Sequence, residues 1–358
     1  MVVKVFVVDD SAVVRQALAH MLAGNAEVEL IGSAPNPLLA MDMIRKNPPD
    51  VLLLDIEMPG MDGLTFLRQI MSGTPIPTVI CSTLSTEGSK VALEALSAGA
   101  VAVLAKPKLG LKQHLEDSRR EMIQTLKTAA RSKPRVRAAG AVPVAGRATG
   151  GVAGVARAPV LGSVHASAMN KPVVIGSSTG GTQALEVVLT SLPADAPGIA
   201  ITQHMPEKFT AMYAARLNGI CAMNVREAKD GDRLERGVAL IAPGGLHMQL
   251  RKVSGQYFVH VVDGPPVNRH KPSVDVLFKS AAECGGRDVL GIIMTGMGDD
   301  GARGMKVLHD GGARCIAQNE ETCVVFGMPK EAIKLQAVDD ILPLESIARA
   351  ILQFDSRA

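Results

Sequence analysis

Tryptophan is absent from the 358 residues, and aromatic residues make up only 3%. So little ring area argues against a stacking platform for single-stranded nucleic acid. Any core must instead be filled by Val, Leu, Ile, Ala and the 17 Met. The five cysteines (Cys81, Cys221, Cys284, Cys315 and Cys323) form no CxxC pair and are odd in number. A disulfide framework is therefore not expected, and reduced thiols fit a cytoplasmic protein. No apolar run reaches the roughly 18 residues that a membrane span requires, so no transmembrane segment is expected. The first ten residues, MVVKVFVVDD, hold a short apolar stretch that ends in acids, unlike a secretory leader. The 35 glycines follow no three-residue period, which excludes a collagen-like fibre.

What is present is ordinary for a folded chain: 47% apolar and 20% charged residues. The length suggests two domains with a connector. Charge is unevenly spread. Residues 122–171 carry eight Lys or Arg and no acid, so the overall +3 leaves −5 for the rest. A basic patch for nucleic acid would need a reading element such as a helix-turn-helix, and none is evident. The basic stretch reads as a solvated linker, and no nucleic-acid partner is expected.

Apolar runs at 2–8, 28–31, 51–54, 78–81 and 101–104 alternate with amphipathic segments at 12–23, 38–46, 64–71, 90–98 and 111–127. Five βα repeats predict a flavodoxin-like parallel sheet over residues 1–128, covered on both faces. Residues 129–170, rich in Ala, Gly, Val and Arg and without aromatics, predict a flexible basic linker. The α/β pattern resumes over 171–358. Strands are expected at 173–175, 199–201, 238–241, 248–250, 257–262 and 289–294. Helices are expected at 182–190, 209–217, 274–282, 302–308 and 344–354. Hairpin-like character between 224 and 262 predicts a doubly wound sheet that is partly mixed.

Asp9 and Asp10 follow the first strand, and Asp55 ends the third. In a parallel sheet these ends share one edge, where ligands bind. Three carboxylates at close range repel one another unless a hard cation such as Mg²⁺ neutralises them. Lys106 follows the fifth strand as a point charge for phosphate. Ser82 and Thr83 end the fourth and offer hydroxyls. This set suits a carboxylate that accepts a phosphoryl group.

The segments VVDDSAVVR, LLLDIEMPGMDGL, ICSTLS and AGAVAVLAKP resemble the receiver domain of two-component response regulators over about residues 1–127. The resemblance implies phosphorylation of Asp55, Mg²⁺ held by Asp9, Asp10 and Asp55, and a phosphoryl contact from Lys106. It implies a hydroxyl switch residue near Thr83, with Ser82 as the alternative.

Residues 176–180 read Gly-Ser-Ser-Thr-Gly between a strand and a helix. That is the G-x-S-x-G turn that lifts a serine, here Ser178, above a sheet edge. The helix start beyond it offers backbone N–H groups to a developing oxyanion. A nucleotide-binding loop is the rival reading, but the spacing of G-x-G-x-x-G and a P-loop Lys are both missing. His204 follows the next strand and is the favoured base; His247 and His270 are alternatives. A carboxylate must fix the tautomer of the base. Asp299 or Asp300, in a second strand–glycine turn–helix passage, can do so. The order Ser…His…Asp differs from that of α/β hydrolases.

GSSTGGTQAL, ITQHMP, VNRHKPSVDVLF and TGMGDDGARGM resemble the C-terminal domain of the CheB family, the chemotaxis protein-glutamate methylesterases. With the receiver, the likeness runs end to end. It implies Ser178, His204 and Asp300 as a triad, the Met297 backbone N–H as oxyanion donor, and His270 as a substrate contact. It implies a phosphorylation-activated, cytoplasmic serine esterase that releases methanol from receptor glutamate methyl esters and deamidates receptor glutamines. The chemotaxis receptors would be its substrates and the histidine kinase CheA its phosphodonor. Mg²⁺ would serve the receiver, with no cofactor for the esterase.

Overall fold

The computed structural model describes residues 2–58, 63–82, 86–106, 112–132 and 171–356. Thr83 and most of the expected linker, residues 133–170, lie outside the described residues.

The N-terminal unit contains strands β1 (Val3–Val8), β2 (Val28–Ala34), β3 (Val51–Asp55), β4 (Thr78–Ser82) and β5 (Ala102–Ala105). They alternate with helices α1 (Ala12–Leu22), α2 (Pro37–Lys46), α3 (Gly63–Ser72), α4 (Thr86–Ser97) and α5 (Lys112–Ala130). The sheet order is β2-β1-β3-β4-β5, with every pair parallel. Side chains of β3 and β4 are buried on both faces, as continuous apolar runs require. Helix starts follow local chemistry. The Ser11 hydroxyl accepts the Val14 N–H ahead of α1, and Asn36 accepts from Leu39 with Pro37 at the first turn of α2. Helix α5 runs three residues beyond the expected end because Ala129 packs fully buried against the sheet.

The C-terminal unit begins with β6 (Val173–Ser177), α6 (Gly181–Thr190), β7 (Ile199–Gln203) and α7 (Glu207–Asn218). There follow β8 (Asn224–Glu227), β9 (Val238–Ile241), β10 (His247–Val253), β11 (Gln256–Val262) and α8 (Val274–Gly285). It closes with β12 (Leu290–Ile293), α9 (Ala302–Asp310), β13 (Arg314–Gln318), α10 (Met328–Lys334), β14 (Asp340–Leu342) and α11 (Leu344–Asp355). Seven strands form one sheet in the order β14-β13-β12-β6-β7-β9-β8, all parallel.

The expected mixing of strand directions is corrected here. The antiparallel pair β10–β11 stands apart as its own two-stranded sheet. Its alternate residues Met248, Leu250, Tyr257 and Val259 bury against Leu277 and Phe278 of α8, a separate partner that draws the hairpin off the main sheet. The strands β13 and β14 and helix α10 were not anticipated. They are short, and β13 begins and ends on polar residues.

From β6 the chain winds one way through β7 to β9 and β8. It winds the other way through β12 to β13 and β14. The C-terminal end of β6 is therefore a topological switch point, where the crossovers part and leave a crevice. The two units touch: α4 packs on α6 and α7, and the Gln183 side chain of α6 donates to Leu96 O at 2.5 Å, at the end of α4. Among the described residues no helix is long and apolar enough to cross a membrane.

Candidate active site

Ser178 sits in the turn between β6 and α6. Its N–H donates to Thr295 O at 3.0 Å, and its carbonyl accepts from Gly181 at 2.8 Å. Gly180 closes the turn at φ +77°, where a side chain would be strained and would meet Val324. A Cβ on Gly296 would lie 2.8 Å from Ser178 Cβ, so only glycine lets the loop after β12 pass this close.

His204 follows β7, and its backbone N–H donates to Ser177 O at 3.1 Å. Its Nε2 lies 2.8 Å from Asp300 Oδ2. Its Nδ1 is buried and has no hydrogen-bond partner. Hence Nε2 carries the proton toward the carboxylate, and the Nδ1 lone pair is the available base. Among the described residues no hydrogen bond joins the Ser178 hydroxyl to His204, although both line one cleft.

Asp300 is buried, yet richly supplied with donors. Its carboxylate accepts from Asn268 Nδ2 at 2.7 Å, Ser273 Oγ at 2.7 Å, Val274 N at 2.7 Å and Asp275 N at 3.3 Å, besides His204. Val274 and Asp275 open α8, so the helix dipole adds to the field. Burial pushes its pKa up, but the donors, led by His204, hold it well below the usual carboxylate range. Asp299 is half exposed and faces Arg303 instead, at 3.8 Å. His247 is engaged structurally, with Pro265 O at 3.0 Å and Ser273 N at 3.2 Å.

His270 stacks on His204, with ring centroids 3.7 Å apart and planes 10° from parallel. Burial, then the neighbouring His204, lowers its pKa to about 4, so it is neutral at neutral pH. The Met297 N–H makes no backbone hydrogen bond among the described residues, leaving it available to a ligand.

Asn268 and Ser273 were not singled out from sequence. Asn268 lies 32 positions from Asp300 along the chain. The only signal was the VNRHKPSVDVLF segment of the family resemblance as a whole, which does not separate the two from their neighbours.

The cleft holds about 320 Å³. One wall carries Ser178, His204, His270 and Met297, while Leu96, Leu104 and Thr125 of the N-terminal unit form the other. Thr128 of α5 also touches Met297, its hydroxyl 2.6 Å from the sulfur.

In the N-terminal unit Asp9, Asp10 and Asp55 converge, each offering an oxygen within 4.8 Å of the others. Lys106 Nζ lies 2.7 Å from Asp55 Oδ2 and 3.4 Å from Asp9 Oδ2. Asp9 Oδ2 is buried and lacks a hydrogen-bond partner. Burial raises the pKa of Asp9, and the neighbouring Asp55 adds to the rise against the pull of Lys106. An under-satisfied, oxygen-only set of this kind fits a hard divalent cation. Burial also pushes the adjacent Cys81 thiol up to about 12, which leaves it inert. Ser82 is buried at the end of β4.

A flavodoxin-like unit with a three-aspartate, one-lysine pocket is thus apposed to an α/β unit with serine, histidine and aspartate at its switch point. That defines a receiver-coupled α/β enzyme. The family model for the response regulator receiver domain matches residues 5–116, and that for CheB methylesterase matches residues 173–351. The chain is 56% identical over 347 residues to protein-glutamate methylesterase/protein-glutamine glutaminase 1 of Xanthomonas oryzae pv. oryzae, covering 96% of this chain and 99% of that one. It is 54% identical over 361 residues to protein-glutamate methylesterase/protein-glutamine glutaminase 2 of Dechloromonas aromatica, covering 98% of each. The Thermotoga maritima CheB methylesterase catalytic domain is a structural neighbour at 38% identity and a TM-score of 0.50, over 51% of this chain and 98% of that one. The chain belongs to the CheB methylesterase family.

Proposed function

We propose that the protein is a phosphorylation-activated serine esterase that hydrolyses glutamate methyl esters of chemotaxis receptors and deamidates receptor glutamines. The observation that carries this is the His204–Asp300 pair, bonded through Nε2, with an unpartnered Nδ1 in the same cleft as Ser178.

Ser178 Oγ attacks the ester carbonyl as its proton passes to His204 Nδ1. Asp300, kept ionised by its donors, holds the Nε2 proton and offsets the imidazolium charge. The Met297 N–H stabilises the oxyanion; a donor of this kind contributes about 3 kcal/mol. The protonated His204 gives its proton to departing methanol. Water then adds to the acyl-enzyme, again with His204 as base, and releases glutamate. An amide substrate takes the same course with ammonia as leaving group.

In this reading residues 1–128, with the last turn of α5 to Ala130, are the receiver, the stretch from there to 170 is the linker and 171–358 the catalytic domain. Asp55 is the phosphoacceptor. Asp9, Asp10 and Asp55 would hold Mg²⁺, which neutralises charge on the incoming phosphoryl group, and Lys106 contacts that group. Ser82 or Thr83 is the switch hydroxyl. The receiver wall over the cleft restrains access, and phosphorylation shifts the docking equilibrium. A histidine kinase, CheA, is the phosphodonor, and the site of action is the cytoplasm.

The test is methanol release from methylated receptor, with and without acetyl phosphate. Stimulated release that vanishes in Ser178→Ala supports the reading. Undiminished release by that variant refutes it.

A further inference from the structure

A single hydrogen bond at the tip of an imidazole fixes one atom but not the plane of the ring. His204 is held at Nε2 by Asp300, and Nδ1, the atom assigned to take the serine proton, has no partner. Rotation about the Cβ–Cγ bond moves Nε2 little, because that atom lies near the axis, but swings the Nδ1 lone pair away from its target. A second constraint is required, and one is present: the His270 ring lies nearly parallel to His204 at 3.7 Å.

The chain goes to some expense to place that ring. Val267 and His270 exchange both backbone hydrogen bonds, at 3.0 and 2.9 Å, closing a two-residue turn with Asn268 and Arg269 at its tip. Both tip residues have positive φ, +51° and +70°. A turn of this hand favours Asn and Gly, and an arginine there is strained. Such strain is retained at functional sites when the surroundings over-determine it. The surroundings here do so. Asn268 Nδ2 donates to Asp300 Oδ1 at 2.7 Å and to Asp275 Oδ2 at 3.0 Å, and Arg303 donates to Asn268 Oδ1. One strained turn therefore supplies a donor to Asp300 and a stacking partner to His204.

We propose that His270 is a positioning residue of the hydrolytic site. Its ring fixes the plane of His204 so that Nδ1 faces Ser178, and its neutral π-face shelters the imidazolium that forms in the transition state. The inference rests on the Ser178–His204–Asp300 reading above and departs from the role of His270 as a substrate contact. The lowered pKa of His270 agrees with this role, since a second positive ring in the stack would oppose proton uptake by His204.

The experiment measures methanol release by the full chain, activated with acetyl phosphate and Mg²⁺, over a range of methylated-receptor concentrations. In His270→Ala, kcat is expected to fall about tenfold with KM within about twofold of wild type, a loss between those expected for an exposed and for a fully desolvated cation–π contact. His270→Phe, which keeps a flat ring, is expected to recover kcat to within about threefold. Thermal unfolding shows that each variant is folded. Should His270→Ala fail to fold, His270→Gln replaces it, since it has hydrogen-bonding atoms but no ring. Equal kcat loss in the ringless and Phe variants overturns the proposal, and so does a rise in KM with kcat intact. Full activity in the ringless variant likewise overturns it. Ser178→Ala runs in parallel: if it stays active, the hydrolytic reading itself has failed, a result distinct from the failure of His270 alone.

Discussion

Five donors converge on the Asp300 carboxylate: a ring nitrogen, an amide, a hydroxyl and two backbone N–H groups. An amide in its place must turn its NH₂ toward one of these donors. Asp300→Asn is therefore expected to lower kcat by about 10³–10⁴ while the chain stays folded, as methanol release and a melting curve will show. Asn268→Ala removes one donor of five and should cost about tenfold in kcat. The residue scale also carries a pH signature. The pKa of His270, near 4 in the fold against 6.5 for the free ring, means that the unfolded chain binds its proton more readily. Its contribution to stability is complete above pH 6.5 and erodes as pH falls toward 4. Between pH 7 and 5 the melting temperature of wild type should drop further than that of His270→Phe. Ser178 and His204 could be proposed from sequence because each follows a strand at the sheet edge, whereas the turn after β12 left Asp299 and Asp300 open and the family resemblance pointed to Asp300. Asn268 and Ser273 could not be proposed, because their task is defined only by a carboxylate brought to them through space.

At the scale of elements, the site depends on close backbone approach more than on side-chain identity. The loop after β12 passes Ser178 only because residue 296 lacks a Cβ. Gly296→Ala should lower turnover by more than about tenfold, since the added carbon meets Met328 Sδ and then the Cβ and N of Ser178, and relief of that clash displaces the serine. Competing outcomes are separable: an intact melting curve with lost methanol release marks displacement, whereas a lowered melting temperature marks misfolding. Most elements were legible from periodicity, β3 and β4 most clearly as unbroken apolar runs. The direction of pairing was less so. An alternating pattern such as that of β10 and β11 records a half-buried strand, but not which sheet or helix covers it. Here α8 takes that place.

At the scale of the whole molecule, the receiver walls the cleft opposite Ser178 and touches Met297 through Thr128. Gln183 ties the units by donating to Leu96 O at 2.5 Å and Ala100 O at 3.4 Å, carbonyls at and beyond the end of α4. Gln183→Leu leaves those carbonyls without this donor. It should raise unstimulated methanol release several-fold, because weaker docking uncovers the cleft more often. Acetyl phosphate should accelerate the wild type and not Asp55→Asn. Equal acceleration of both would remove Asp55 from the pathway.

Periodicity, glycine-bounded turns and residue type were enough to mark two α/β units, most of their strands and the candidate residues that follow them. These are local properties, written into neighbouring positions by propensity and burial. Only the tertiary structure decided that the main catalytic sheet is wholly parallel, that Nδ1 is the free nitrogen of His204, that His270 lies flat on it, and that the receiver faces the cleft. Each of these depends on contacts between segments far apart in the chain, and a linear pattern does not encode distance in space.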